Sequence, residues 1–226
     1  MKTPGMPRRY AMKPALVAGL LICGLCLLPS SGWAQACDPH AAQNDRARDL
    51  RMQAKLDRAK AIVTSVLRQS PDDFRANYSL GLIYLDEGEK VPASIAKGVA
   101  QLLKTLALLP RLGEACAVTI NAYSIYNSLG ATYFNHDDIP QAEKYFRLAY
   151  QNLGKLNGDT RAKVLANLGT LFFSKRNFAC SAKYYRLAQA AGSRLVADRL
   201  TLVGSILTGA HSADRCVEPP GWPRPG

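Results

Sequence analysis

Histidine is scarce in this chain: His40, His136 and His211 are the only three among 226 residues, and none stands at a metal-ligand spacing. His136 lies beside Asp137 and Asp138, but adjacent residues do not all point at one ion, so this stretch reads as a solvated turn. Neither a glycine-rich phosphate loop nor a nucleophile elbow occurs, which removes the commonest sequence signals of nucleotide and acyl-transfer chemistry. No enzyme, metal or cofactor is therefore expected. Acidic residues are also few, 17 against 29 basic, for a net charge of +12. The apolar run from Ala15 to Leu28 spans fourteen residues, short of the roughly twenty that cross a bilayer.

What is present at the amino terminus reads as a removable leader over 1–36. It has a basic start, that apolar run, and a small-residue site at Ala34-Gln35-Ala36, so Cys37 becomes the first mature residue and no transmembrane segment remains. Met12 is an alternative initiator. Arg8-Arg9 loosely resembles a twin-arginine signal, although Pro7 and Ala11 depart from it. A lipid anchor on Cys37 stays open as an alternative, although Ala34 and Gln35 do not fit the residues such a site requires. Removing Lys2, Arg8, Arg9 and Lys13 with the leader leaves +8. That surplus favours an anionic envelope surface, and with no nucleic-acid motif, nucleic acid is not expected. Cys23 and Cys26 leave with the leader. Cys37, Cys116, Cys180 and Cys216 remain, an even number in an oxidising compartment with no Cys-x-x-Cys among them.

The body of the chain is helical and periodic. Tyr126, Leu129-Gly130 and Tyr133 are followed by Ala142, Phe146 and Ala149. The same spacing begins at Leu80-Gly81 and Tyr84, continuing through Gly98, Leu102 and Pro110. It begins again at Leu165, Leu168-Gly169 and Phe172, with Ser181, Tyr185 and Ala188. This pattern resembles the tetratricopeptide repeat, a helix-turn-helix unit in which a glycine lets two helices touch and small residues make room for aromatic ones. The resemblance implies an all-α, right-handed solenoid of about three repeats with capping helices.

The expected layout is an amino-terminal half repeat over 37–73, repeats over 74–112, 123–156 and 162–195, an inserted loop over 113–122, a capping helix over 196–215 and a tail over 216–226. The half repeat is one helical stretch from Asp45 to Gln69. A last amphipathic helix runs from Ser193 to Gly209, with Leu195, Val196, Leu200, Val203 and Leu207 facing the stack. Asn77 stands where a large side chain is usual, so looser packing is expected there. Asp159-Thr160 is expected to cap the helix that follows, and the Pro-rich tail to be a disordered end. Repeat geometry favours Cys180 with Cys216, leaving Cys37 with Cys116.

The resemblance also places a concave groove along the first helix of each repeat. Carried over by position, its residues are Arg75, Tyr78, Leu82 and Leu85, then Ser124, Asn127, Ala131 and Asn135, then Lys163, Ala166, Thr170 and Ser174. A peptide or helix of a partner protein is the expected occupant. The carboxylate clamp of chaperone-binding members is not expected, because only Lys163 corresponds to it. Tyr78, Leu82, Ser128 and Asn167 depart from the rest. The expected role is a periplasmic adaptor in envelope, pilus or secretion assembly of a Gram-negative bacterium. The alternatives are a pilotin-like lipoprotein anchored through Cys37 and a secreted effector or its partner.

Overall fold

The computed structural model describes residues 36–209 and 215–224. The expected leader, 1–36, lies outside that range except for residue 36, and Cys23, Cys26 and His211 lie outside it too. The described chain is all-α: ten helices and two short 3-10 turns, with no strand among the described residues. Four helical hairpins follow one another. They pair α1 (Ala41–Met52) with α2 (Leu56–Gln69), α3 (Phe74–Glu87) with α4 (Ala93–Leu106), α6 (Ser124–Asn135) with α7 (Ile139–Gln151), and α8 (Gly158–Ser174) with α9 (Phe178–Ala190). A short α5 (Glu114–Thr119) occupies the link before the third hairpin, and α10 (Ala197–Gly209) packs on α9. No helix among the described residues is long and apolar enough to cross a membrane.

Helix starts are set by side-chain caps that satisfy free backbone donors. Asp73, Asp138, Asn157 and Asn177 accept from the N–H groups of Ala76, Gln141, Thr160 and Cys180 at 2.8, 3.2, 2.9 and 3.1 Å. The cap of α8 is thus Asn157, upstream of the expected Asp159-Thr160. Helix ends repeat more closely still. Three hairpins turn through three residues, Gln53-Ala54-Lys55, His136-Asp137-Asp138 and Lys175-Arg176-Asn177, and the middle residue of each has positive φ, at 56, 59 and 57°. In each the third residue donates its N–H to a carbonyl five residues back: Lys55 to Leu50, Asp138 to Tyr133 and Asn177 to Phe172, at 2.9, 3.0 and 2.9 Å. This closes the helix end in a Schellman turn. The expected single helix from Asp45 to Gln69 is therefore two helices, because Ala54 leaves the right-handed region, and the expected half repeat is a complete hairpin.

Glycines set the closeness of the helices within three hairpins. A Cβ on Gly81 would lie 2.7 Å from Leu102, one on Gly130 would lie 2.6 Å from Phe146, and one on Gly169 would lie 2.4 Å from Tyr185. The three hold equivalent places in successive hairpins. Ala142, Ala149 and Ala188 are fully buried beside these side chains, as are Phe146, Phe172 and Tyr185. Ser181 donates to the Gly169 carbonyl at 2.8 Å, so its hydroxyl is satisfied in the core. Asn77 packs tightly rather than loosely. It is 1% exposed, donates to the carbonyls of Pro71 and Asp73, and accepts from Gln101.

Both disulfides pair as expected, Cys37 with Cys116 and Cys180 with Cys216, and such bridges fit a compartment outside the cytoplasm. The 113–122 insertion is held by its cysteine but forms α5 rather than a loop. The last helix starts at Ala197, and Leu195 is 89% exposed while Val196 and Val203 are buried. The tail is docked, contrary to the expected disordered end. Trp222 donates to the Tyr184 hydroxyl at 2.7 Å, meets Phe172 ring to ring at 5.0 Å, and lies under the Arg147 guanidinium.

Candidate functional site

The first helices of the four hairpins share one side of the molecule, where a cleft of about 1150 Å³ opens. Its walls come from α1 with the preceding Asp38-Pro39, from α3, α6 and α8, and from Thr119-Ile120-Asn121 after α5. None of α2, α4, α7 and α9 contributes a lining residue. Six of the twelve expected groove residues line it: Arg75, Tyr78, Leu82, Ser124, Asn127 and Lys163. All six sit in the first two or three turns of their helices, so the cleft follows the amino-terminal halves of α3, α6 and α8.

The other six do not line it. Leu85 packs against Gly98, whose Cβ position lies 2.6 Å from its Cδ2. Ala131 and Ala166 pack against the main core. Thr170 shares a hydrogen bond with Tyr185, 3.1 Å, and donates to the Ala166 carbonyl. Ser174 donates to Leu171, and Asn135 stands exposed at the end of α6. The carboxyl-terminal halves of the first helices are thus largely taken up by packing, in part against the second helix of the same hairpin.

Several cleft residues lie beyond the repeat pattern. Asp38, Asp45, Arg48, Arg51 and Met52 form a wall from α1 and the segment before it, and Asn121, Asn157 and Thr160 form the far end. Asn121 ties that end together: it donates to Thr160 Oγ1 at 2.9 Å and accepts the Asn157 N–H at 3.3 Å. The sequence signals for this end were the insertion and the expected Asp159-Thr160 cap.

Charges in the cleft are internally paired. Arg75 bridges Asp38 and Asp45, the latter at 2.7 Å, so it fastens α1 and the segment before it to α3 and is not free for a ligand. Its hydrogen bond is the main reason the Asp45 carboxyl is held below the usual range, against the opposing effect of burial. For Arg75 burial works hardest against the charge, yet the two carboxylates outweigh it and the guanidinium is raised. Arg51 pairs with Asp86 at 2.9 Å, and Lys163 with Asp159 at 2.6 Å on the exposed rim.

The floor is neutral. The Tyr78 and Ser128 hydroxyls are 2.6 Å apart, and Ser124 donates to Tyr78 at 3.4 Å, linking α3 to α6. Asn127 accepts from Asn167 at 2.9 Å, linking α6 to α8. The Asn127 NH₂ makes no hydrogen bond among the described residues. Phe74, Tyr78 and Leu82 add an apolar strip along α3. Such a surface offers amides and hydroxyls to a polypeptide backbone and an apolar seat to a side chain.

Among the described residues no group of three His, Cys, Asp or Glu side chains is placed to hold a metal ion. His136 is exposed in its turn, and His40 sits 3.0 Å from Asp73. No protein-family model and no curated protein matches the chain.

Proposed function

We propose that the chain is an exported adaptor of tetratricopeptide type that holds a peptide or helix of a partner protein in the cleft of its first helices. The observation that carries this is the cleft itself: four hairpins contribute to it, its floor is neutral and partly apolar, and Asn127 in its lining makes no hydrogen bond through its amide donor among the described residues. The repeated turn and the three glycine contacts support the repeat assignment, since one helix-turn-helix geometry recurs at intervals along the chain. Repeat scaffolds serve as binding surfaces, and the envelope, pilus or secretion setting rests on that architectural analogy together with the leader and the disulfides. The Cys37 bridge favours this reading over the anchored lipoprotein. The thioether anchor needs the Cys37 sulfur, which is bonded to Cys116.

The test is capture by a photoreactive side chain at Asn127 in living cells, with a second placed at the outward-facing Ala100. A partner cross-linked from Asn127 alone, and lost with Tyr78→Ala in the same protein, supports the cleft. Equal cross-linking from both positions refutes it.

A further inference from the structure

The two helices of each hairpin differ in charge. The second helices α2, α4, α7 and α9 hold nine Lys and Arg against two acidic residues, whereas the first helices hold six against five. On the second helices Lys60 is neutralised by Glu87 and Lys183 by Glu218, Glu143 is taken by Lys175, and Arg147 holds the Gly221 carbonyl. Six exposed cations remain: Arg58, Arg68, Lys97, Lys104, Lys144 and Arg186. None makes an ion pair among the described residues. Asp57 is the one acidic residue of these helices left unpaired.

None of these helices lines the cleft, so the six cations lie away from it. Two exposed leucines stand among them, Leu103 beside Lys104 and Leu187 beside Arg186, at 38% and 40% exposure. Unpaired exposed cations on these helices, with partly exposed leucines next to two of them in sequence, suit the boundary of an anionic bilayer, where cations meet headgroups and leucines reach the acyl region. A soluble polyanion would use the cations and leave the leucines in water. We propose that the outer face formed by α2, α4, α7 and α9 docks on an anionic lipid bilayer and turns the cleft toward the aqueous side. This is independent of what the cleft holds.

The test is co-sedimentation of the processed chain, starting at Cys37 with both disulfides formed, with phosphatidylglycerol or phosphatidylcholine vesicles. Using the processed chain removes the leader's own apolar run as a cause of binding. Binding to phosphatidylglycerol alone is expected, and it should fail at about 1 M salt, where the screening length is about 3 Å. Each cation near such a surface contributes roughly fivefold in partitioning, so Lys97→Gln, Lys104→Gln and Arg186→Gln together should cost about a hundredfold. Arg46→Gln, Arg48→Gln and Lys163→Gln, with the same net charge, should cost far less. Leu103→Ser with Leu187→Ser should also weaken binding. Circular dichroism and melting curves confirm that each variant is folded. Equal loss in the two charge triples, equal binding to phosphatidylcholine, no effect of the leucine pair, or tighter binding to an oligonucleotide than to the vesicles would each overturn the proposal.

Discussion

Gly130→Ala is expected to destabilise the protein even though alanine is the better helix former. The substitution gains about 1 kcal/mol of helix propensity in the interior of α6. Against that, the new Cβ would stand 2.6 and 2.7 Å from Cδ1 and Cε1 of Phe146, about 1 Å inside ordinary carbon contact. Phe146 is 1% exposed and a member of the main core, so its ring has no free space to enter. Overpacking of this kind costs roughly 1–3 kcal/mol, and more where a rigid ring rather than a flexible chain end must move. The net loss should be about 1–2 kcal/mol, or roughly 3–6 °C in Tm for a domain of this size. Gly204→Ala in α10 is the control, because nothing lies within 4 Å of its Cβ position, and it should keep the whole propensity gain. Gly169→Ala meets Tyr185 at 2.4 Å and should cost at least as much as Gly130→Ala. Gly81→Ala meets Leu102, a flexible side chain, and should cost less. Adding Phe146→Leu to Gly130→Ala should be less harmful than the two single losses summed, by about 1 kcal/mol. Thermal and urea melts read all of these. A Gly130→Ala protein that melts at or above the native temperature would refute the claim that these glycines set the helix approach.

The turn residues offer the opposite sign. Ala54→Gly and Arg176→Gly, both exposed with positive φ, should each gain several tenths to about 1 kcal/mol by urea unfolding, because glycine adopts that region without steric cost; a loss in both would contradict the turn assignment. Trp222 is the sole tryptophan from Cys37 onward. Cys216→Ser should release the tail, shift Trp222 emission to the red and cost up to about 3–4 kcal/mol by the loop-closure argument, and unchanged emission would mean that the aromatic contacts hold the tail without the bridge. Alkaline pH should unfold the protein. Burial is the chief cause that raises the phenols of Tyr126, Tyr133, Tyr145 and Tyr184, so the unfolded chain loses protons first and stability, full below about pH 10, falls as pH rises beyond it. The phenolate absorbance of these four should therefore appear together with loss of helix, and their titration near pH 10 with helicity intact would refute the burial argument.

The helical hairpins were legible because their signal is local. Leu-Gly pairs and small residues at fixed spacing report directly on where two helices touch, and Gly81, Gly130 and Gly169 do meet the side chains that follow them. The division of α1 from α2 was not legible. Gln53-Ala54-Lys55 contains no glycine or proline, and alanine ordinarily prolongs a helix, so the left-handed Ala54 is held by the packing of α1 on α2 and α3 rather than by its own preference. The tail was misjudged for a related reason. Its prolines leave residues 215–224 without a helix, yet its docking depends on Cys180, Arg147, Phe172 and Tyr184, all distant in sequence.

Six of the twelve positions read from the repeat line the cleft, and the six that do not show what the position rule assumes. The rule holds for hairpins of equal length stacked without interruption. Here the segment from Cys37 to His40 is pulled across the start of α3 by the bridge to Cys116 and by Arg75 on Asp38 and Asp45. That segment and α1 close one side of the groove, while Thr119-Ile120-Asn121 and Asn157 close the end nearest α8. The cleft is thereby displaced toward the amino-terminal halves of the first helices, and Ala131, Ala166 and Thr170 are left to pack. The Cys37–Cys116 bridge therefore positions a cleft wall as well as bracing the chain, and the shape of the cleft depends on an oxidised protein.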